Sequence, residues 1–264
     1  MINQDDFRCM RRGKQLATLT PQDSKLLTGF SQHNQPKHKA LLLLHGFSSS
    51  PAVFRMLFPY LNQYNAIIAP TLPGHGENLT AFSKSKASDW LTTAEQQCNL
   101  LCQEYTSVDV LGLSLGGLLA CHLSHRFTLN HLYLLAPALD LHLSLPLILP
   151  LVSLFQCLGF ERIRANAGNI HENKHCEIAY RQLPLGPIKE VLNFINQFEF
   201  SLPQCPTDVF LGKHDQVVKS DRVARRFSSG KHINIHWLAH SAHVLPLDGD
   251  IKLINAILSD SRSS

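Results

Sequence analysis

One serine of this chain lies in a Gly112-x-Ser114-x-Gly116 pattern. Residues 108–111 before it alternate and contain β-branched side chains, which predicts a strand. Residues 118–123 after it have helical spacing without a breaker. A tight strand-to-helix turn needs small residues two positions before and after the serine, and it holds the serine oxygen clear of the backbone. The free N–H groups at the start of the helix face the place where this serine oxygen lies. The flanking elements therefore indicate a nucleophile rather than a chance loop.

A serine hydroxyl needs a base to take its proton, and the base needs an acid that fixes its tautomer. Suitable side chains follow later in the chain, in the order acid then histidine, each in a loop after a strand-like run. Asp215 follows the run at residues 209–211, and His243 follows the run at residues 233–237. Because parallel strands place their sites at their carboxyl ends, we expect Ser114, Asp215 and His243 to meet there.

Other acids and histidines lie close to these two in the sequence. The competing carboxylates begin a strand, fall in the first turn of a predicted helix, or follow the histidine and could pair with a surface cation; in that order they are Asp208, Asp221 and Asp248. Replacing either of the last two by asparagine is expected to have only a mild effect on kcat. Of the competing histidines, His236 alternates within a strand, and His240 leaves less chain to reach back toward the serine. These positions favour the first assignment.

Attack by a serine on a carbonyl group produces an oxyanion, which needs N–H donors already in place. The amide of Leu115, at the start of the predicted helix, is one candidate. The other is the amide of Phe47, in the loop His45-Gly46-Phe47 that follows the apolar run at residues 40–44. Gly46 permits a close approach of the backbone, and His45 is expected to hold the loop by hydrogen bonds rather than to act as an acid or base.

The runs around these residues alternate between strand-like and helical character. Continuous apolar runs such as residues 40–44 and 131–136 are typical of strands covered on both faces. The alternation predicts an α/β fold with a mostly parallel central sheet that has helices on both faces. Residues 1–13 suggest a polar lead-in, residues 14–30 an antiparallel hairpin at the sheet edge, and residues 51–61 a helix.

Residues 138–200 interrupt the alternation and contain no convincing strand. They predict a helical cap, inserted between core strands of a single domain over residues 1–264. Residues 141–160 lack a charged side chain, and their length would satisfy a membrane span. Pro146 and Pro150 argue against a span, so that an apolar lid is favoured, with an interfacial contact as the alternative.

The composition excludes several classes of protein. The chain has 264 residues, of which 44% are hydrophobic and 17% are charged, and these values suit one folded α/β domain. The net charge of +4 is small and its basic residues are scattered, so that no nucleic-acid partner is indicated. Fifteen histidines show no metal-ligand spacing, and we expect neither a metal nor a cofactor.

The cysteines indicate a cellular compartment. There are seven of them, none in a Cys-x-x-Cys pair, and Cys98, Cys102, Cys121 and Cys157 lie in apolar surroundings. Reduced, buried thiols in a cytoplasmic protein are the expected arrangement. Residues 1–30 lack an apolar core of signal-peptide length, which agrees with that expectation.

These motifs resemble those of the α/β-hydrolase family, and within it those of small bacterial carboxylesterases and monoacylglycerol lipases. The resemblance rests on His-Gly-Phe at 45–47, Leu-Pro-Gly-His-Gly at 72–76, Gly-Leu-Ser-Leu-Gly-Gly at 112–117, Gly-Lys-His-Asp at 212–215 and Ser-Ala-His-Val-Leu-Pro-Leu-Asp at 241–248. It implies hydrolysis of carboxylic esters without a cofactor, under a short helical cap. The chain departs from that pattern in the Leu-rich first half of the cap and in a shortened N-terminal hairpin, which is not expected to touch the site.

We therefore expect a serine esterase that hydrolyses small-molecule carboxylic esters of short-to-medium acyl chains through an acyl-enzyme intermediate. His45, Gly46, Leu149 and Val152 are expected to contact the substrate. The alternatives are a monoacylglycerol lipase, a thioesterase or an acyltransferase with the same triad, and, in a different class, a ligand-binding protein that has lost catalysis. All three candidate catalytic side chains are present, which weighs against the last alternative.

Overall fold

The computed structural model describes residues 1–12, 14–172 and 174–260. The strands are β1 (Phe7–Arg11), β2 (Lys14–Ala17), β3 (Phe30–His33), β4 (Lys39–Leu44), β5 (Ala66–Ala69), β6 (Ser107–Leu113), β7 (His131–Leu135), β8 (Arg162–Arg164), β9 (Glu177–Tyr180), β10 (Gln182–Pro184), β11 (Thr207–Gly212) and β12 (Ile233–Leu238). The α-helices are α1 (Pro21–Lys25), α2 (Leu79–Ser83), α3 (Ala87–Glu104), α4 (Leu115–Arg126), α5 (Leu145–Cys157), α6 (Leu185–Gln197), α7 (Ser220–Phe227) and α8 (Ile251–Asp260). Short 3₁₀ turns cover Gln4–Asp6, Pro51–Phe54, Phe58–Tyr60 and Leu245–Leu247.

Seven strands form a central sheet in the order β12-β11-β7-β6-β4-β5-β3. Neighbours run parallel except for β3, which pairs antiparallel with β5 at one edge. Leu42 and Leu44 of β4 pack into one apolar cluster, and Leu41 and Leu43 pack into another, so that both faces of the sheet are covered. The unbroken apolar run of β4 follows, because every side chain of a doubly covered strand is buried. The predicted fold class is confirmed.

The N-terminal segment differs from the prediction. The turn of a hairpin was expected at residues 20–24, but Pro21–Lys25 form the helix α1. At its start Thr20 and Asp23 accept each other's backbone N–H. β2 pairs instead with β1, which occupies the expected polar lead-in, and β3 forms the edge of the central sheet. A Thr-Pro-x-Asp sequence suits a helix start as well as a turn, so the local pattern did not separate the two.

The helices on the sheet match the prediction in part. α4 and α7 lie where the sequence predicts helices. The helix expected at residues 51–61 is instead a pair of 3₁₀ turns, and Pro59 in the second turn lacks the N–H that a continuous α-helix would use. Val53 and Phe54 are buried nonetheless. The apolar pattern therefore predicted the buried side chains but not the type of helix.

Residues 138–200, here called the insertion, lie between β7 and β11 and contain α5, β8, β9, β10 and α6. The prediction that this segment contains no strand was wrong. β8 pairs with β10, and β9 joins β1 and β2 in a separate three-stranded sheet. Each of these strands has only three or four residues. Their local sequence carries little signal, because such short strands depend on pairing with distant segments.

A disulfide joins Cys9 of β1 to Cys176, the residue before β9, across a separation of 167 residues. The expectation of reduced thiols is therefore wrong for this pair. Cys98 and Cys121 are buried free thiols, as expected, but Cys157 is exposed. Composition alone could not show that two cysteines so far apart in the sequence meet.

Helix α5 carries the Leu-rich sequence of the insertion. It has 13 residues, and across residues 1–12, 14–172 and 174–260 no helix is both long enough and apolar enough to cross a membrane. Val152 packs into the apolar core, whereas Leu147, Leu151 and Leu154 are exposed. α5 therefore presents apolar side chains both to the protein and to its surroundings.

Candidate active site

Ser114 stands between β6 and α4, where the sequence predicts a tight turn. Its φ of 54° lies in the left-handed region, which residues other than glycine rarely adopt. A Cβ built on Gly112 would lie 2.2 Å from the carbonyl oxygen of Gly116, and one built on Gly116 would lie 1.9 Å from that of Leu44. Both positions therefore require glycine, because β6, α4 and β4 touch each other at the serine.

Asp215 and His243 lie in the loops after β11 and β12, and their side chains are in contact. Nδ1 of His243 is 2.8 Å from Oδ2 of Asp215. The other carboxylate oxygen, Oδ1, accepts the N–H groups of Val217 and Val218 at 2.7 and 2.8 Å. These two bonds fix the carboxylate and leave Oδ2 for the imidazole, which donates to it through Nδ1.

The two side chains shift each other's pKa. Burial lowers the pKa of His243, but the charge of Asp215 and the hydrogen bond to it, together with the charge of Glu177, raise that pKa above its ordinary value. Burial raises the pKa of Asp215, but the charge and hydrogen bond of His243 and two backbone N–H groups lower it overall. At neutral pH Asp215 is therefore a carboxylate that stabilises a proton on His243. The contribution of Glu177, which comes from β9, was not foreseen from the sequence.

The loop after β4 lies directly against Ser114. A Cβ built on Gly46 would lie 3.3 Å from the Cβ of Ser114. Phe47 packs beside Trp90, with the ring centroids 6.0 Å apart. Leu115 is the first residue of α4, so its N–H has no acceptor within the helix. The two expected oxyanion donors, the amides of Phe47 and Leu115, thus belong to segments that adjoin the serine.

His45 is fully buried, and both of its ring nitrogens contact the backbone. Nε2 accepts the N–H of Leu72 at 3.0 Å, and Nδ1 donates to the carbonyl oxygen of Gly46 at 2.9 Å. Burial lowers the pKa of His45 to about 4, so the ring is neutral. These contacts agree with a role in holding the loop. They do not agree with the expected contact to substrate, because His45 has no exposed surface and no free ring nitrogen.

The residues of the insertion that are expected to contact the substrate lie on α5. Val152 is buried in the apolar cluster that includes Leu115, and Leu149 and Phe47 pack against the same cluster. α5 therefore packs against the same apolar core as the helix that begins after the serine.

Comparison with known proteins shows to which family the chain belongs. A family model described as the alpha/beta hydrolase family matches residues 41–252. The chain belongs to the α/β-hydrolase family. The resemblance inferred from the sequence motifs is thereby confirmed.

This α/β-hydrolase has relatives of similar length. It is 27% identical over 224 residues to the thermostable monoacylglycerol lipase of Bacillus sp. strain H-257, covering 81% of this chain and 86% of the lipase. It is 24% identical over 224 residues to the carboxylesterase of Bacillus subtilis strain 168, covering 82% and 89% of the two chains. A solved structure from work on the metagenome-derived lipolytic enzymes LipS and LipT matches at a TM-score of 0.79 and 22% identity, covering 89% of this chain and 98% of that one. The last similarity shows the fold.

The competing carboxylates of the hydrolase have other partners. Asp208 lies near the start of β11, at the opposite end of the sheet from the serine, and accepts from Nε2 of His131 and His236 at 2.7 and 2.6 Å. Asp221 is exposed in the first turn of α7. Within the parts of the chain that the structure describes, no group of three or more His, Cys, Asp or Glu side chains could hold a metal ion.

Asp248 is not the surface residue that the sequence suggested. It is 3% exposed. Its carboxylate accepts the N–H groups of His171, Glu172 and Ala242 at 2.7 Å each, and that of Gly249 at 2.9 Å. Asp248 therefore joins the loop of the candidate base to the insertion. The only sequence signal was its spacing after the histidine, which does not reveal backbone partners 76 and 77 residues away.

Proposed function

We propose that this hydrolase is a serine esterase acting on carboxylic esters of short-to-medium acyl chains, with Ser114 as nucleophile, His243 as base and Asp215 as the acid that orients it. The chain is an ester-hydrolysing member of its family, since the relatives from Bacillus are a monoacylglycerol lipase and a carboxylesterase. The observation that carries the proposal is the 2.8 Å hydrogen bond from Nδ1 of His243 to Oδ2 of Asp215. This hydrogen bond lies at the carboxyl ends of the parallel strands, as does Ser114 with its strained backbone.

The first half of the reaction forms an acyl-enzyme. Nε2 of His243 takes the proton of the Ser114 hydroxyl while Oγ attacks the ester carbonyl carbon. The resulting imidazolium faces the Asp215 carboxylate, and the oxyanion accepts the amides of Phe47 and Leu115. The carbon–oxygen bond to the leaving alcohol then breaks, and His243 returns its proton to that alcohol.

The second half releases the acid. Water enters in place of the alcohol and gives a proton to Nε2 of His243 as its oxygen attacks the acyl carbon. The same amides stabilise the second oxyanion, and its collapse returns the proton to Oγ of Ser114. No step consumes a cofactor, since the balance closes with one ester and one water.

The acyl chain is proposed to lie beneath α5, against Leu149 and Val152, with Gly46 beside the ester group. The insertion then acts as a lid on a single domain that extends over residues 1–264. Each buried methylene contributes about 0.8 kcal/mol, which is nearly fourfold in affinity. Selectivity should therefore rise with acyl length until the apolar space ends, and a compact insertion of this kind favours short-to-medium chains.

Monoacylglycerol lipase is the second candidate function. The observation that favours it is the exposed apolar surface of α5 and the turn after it, where Leu147, Leu154 and Leu158 are 73%, 53% and 63% exposed. A surface of this kind suits contact with a lipid aggregate rather than insertion across it. Thioester hydrolysis and acyl transfer use the same triad and differ only in the leaving group or the acceptor.

Location in the cytoplasm stays a prediction. The Cys9–Cys176 disulfide favours an oxidising compartment. Counting free thiols in denatured, alkylated protein taken directly from its native cell decides between the two. Seven reactive thiols would support the cytoplasm, and five would contradict it.

The decisive test of the proposed function uses Ser114→Ala with a panel of p-nitrophenyl and glycerol esters. We expect the variant to lose hydrolysis by several orders of magnitude and to lose labelling by a fluorophosphonate, while its circular dichroism spectrum is unchanged. Near-parental turnover in a folded Ser114→Ala variant would mean that another group is the nucleophile. The panel separates the candidate functions, since a lipase prefers long-chain monoacylglycerols over p-nitrophenyl butyrate.

A further inference from the structure

A residue of the insertion stands between the two loops that carry Asp215 and His243. Oδ1 of Asn169 accepts the N–H of Gln216 and the N–H of His243, both at 3.1 Å. The same N–H of His243 is shared with the backbone carbonyl oxygen of Asn169, at 3.0 Å, and that oxygen also accepts the N–H of Val244 at 3.1 Å. Asn169 therefore contacts the residue next to the candidate acid and the backbone of the candidate base.

The orientation of the Asn169 amide follows from its partners. Both groups that face its side chain are backbone N–H donors, which cannot accept a hydrogen bond. The amide oxygen must therefore point toward them, and a flipped amide would place four donors against each other. The side chain of Asn169 thus supplies an uncharged acceptor for the N–H of Gln216, and it shares the N–H of His243 with its own backbone carbonyl oxygen.

Gly168, the residue before Asn169, is hydrogen-bonded to the three-stranded sheet formed by β2, β1 and β9. The N–H of Gly168 donates to Oε2 of Glu177 on β9 at 2.8 Å, and the carbonyl oxygen of Gly168 accepts from Arg12, next to β1. Gly168 has a φ of +78°, and a Cβ there would lie 2.6 Å from the backbone of Met10. β1, which lies where the sequence suggested a polar lead-in, is therefore separated from Asn169 by Gly168 alone.

We propose that Asn169 is a positioning residue for the Asp215–His243 pair. The proposal rests on the proposed function, in which this pair is the acid and base of the reaction. Gln216 follows Asp215 directly, in the turn whose next N–H groups hold the carboxylate. Fixing the Gln216 and His243 backbones on one oxygen keeps Oδ2 of Asp215 and Nδ1 of His243 in hydrogen-bond register.

The test compares Asn169→Leu, which removes the acceptor at similar volume, with Asn169→Asp, which keeps acceptor oxygens and adds a charge. The matched control is Asn130→Leu. Asn130 donates to Asp109 at 2.7 Å, near the opposite end of the sheet. For each variant, kcat and KM on p-nitrophenyl butyrate, the rate of fluorophosphonate labelling, the pH profile of kcat/KM and the melting temperature are measured.

For Asn169→Leu we expect kcat to fall by about 10- to 100-fold, with KM within about twofold, because the substrate does not touch this residue but the base is displaced. The labelling rate should fall by the same factor. Asn169→Asp should recover most of kcat. The pH profile of its kcat/KM should shift to higher pH, because a third carboxylate joins Asp215 and Glu177 in stabilising the His243 imidazolium. Asn130→Leu should lower the melting temperature and leave kcat and the pH profile unchanged.

Two results would overturn the inference. One is wild-type kcat and labelling in Asn169→Leu. The other is an Asn169→Asp variant that loses as much kcat as Asn169→Leu without moving the pH profile; this second arm decides the question even if Asn169→Leu does not fold. Ser114→Ala separates this outcome from failure of the proposed function. An inactive Ser114→Ala with a fully active Asn169→Leu refutes the positioning role alone, whereas an active Ser114→Ala refutes the triad on which it rests.

Discussion

Replacing Asp215 with asparagine exchanges one oxygen for nitrogen at nearly constant volume, and we predict that it removes most of the turnover. Oδ1 of Asp215 faces the N–H groups of Val217 and Val218. In the variant the amide oxygen must take this place, because an NH₂ group cannot accept from them. The NH₂ group then donates to Nδ1 of His243, so the ring carries its own proton on Nε2, where the proton of Ser114 should arrive.

The expected loss in kcat is about 10⁴-fold, or about 5.5 kcal/mol of transition-state stabilisation. Two effects contribute to it. His243 must change its tautomer before it can act as a base, and its imidazolium no longer faces a carboxylate. KM should change little, since Asp215 is held by backbone groups and by His243 rather than by the substrate site.

The sign of the pH effect follows from the causes of the pKa shift. In the parent, kcat/KM should rise with pH through the raised pKa of His243, because only the neutral ring accepts a proton. Without the charge of Asp215, burial lowers the pKa of His243. The residual activity of Asp215→Asn should therefore rise at lower pH than that of the parent.

The assay measures kcat and KM on p-nitrophenyl butyrate from about pH 5 to about pH 9. The matched control is Asp221→Asn, since Asp221 is an exposed carboxylate in the first turn of α7. We expect the control to retain the parental kcat and pH profile. A folded Asp215→Asn variant within tenfold of the parental kcat would refute the assignment of the acid, and so would an equal loss in Asp221→Asn.

Three further predictions concern the surroundings of the site. Asp248→Asn should destabilise folding by about 2–4 kcal/mol in urea titrations, because an amide cannot accept all four N–H groups that now bind the carboxylate; unchanged stability would contradict the buried role. Gly116→Ala should greatly reduce the yield of folded protein, since its Cβ would lie 1.9 Å from the carbonyl oxygen of Leu44, and a well-folded, active variant would disprove that contact. Val152→Asp should lower kcat/KM for octanoyl esters more than for acetyl esters, whereas the exposed control Leu147→Asp should spare both soluble esters; equal losses for the two acyl lengths would remove Val152 from the acyl site.

The sequence by itself determined the sheet and the candidate nucleophile. The Gly112-x-Ser114-x-Gly116 spacing indicates a tight strand-to-helix turn. A Cβ at either glycine would collide with nearby backbone atoms, so the pattern follows from the local structure. Apolar runs without alternation predicted strands buried on both faces. Successive side chains of a strand point to opposite faces of the sheet, so an unbroken apolar run means that both faces are covered. Asp215 and His243 were predicted as partners of the serine because each follows a strand, and the carboxyl ends of parallel strands lie at the same end of the sheet.

Local patterns failed where two structures suit the same residues. Thr20-Pro21-x-Asp23 serves as a helix start here, although it also matches a turn. The four-residue β9 is a strand because it pairs with β1, a segment whose own polar sequence predicted no strand. In both cases the deciding partner is outside the window from which a pattern is read.

Only the tertiary structure showed which groups contact the loops of the candidate acid and base. The side chains of Asn169 and Asp248 accept backbone N–H groups. Every residue type except proline carries such a group, so no sequence signature marks the donors. Glu177 and the Cys9–Cys176 disulfide belong to segments that meet through the pairing of β1 with β9. A candidate site residue that depends on a turn of a few residues can therefore be predicted from the sequence. The contacts that hold these residues relative to one another join segments far apart in the sequence, and no local pattern marks them.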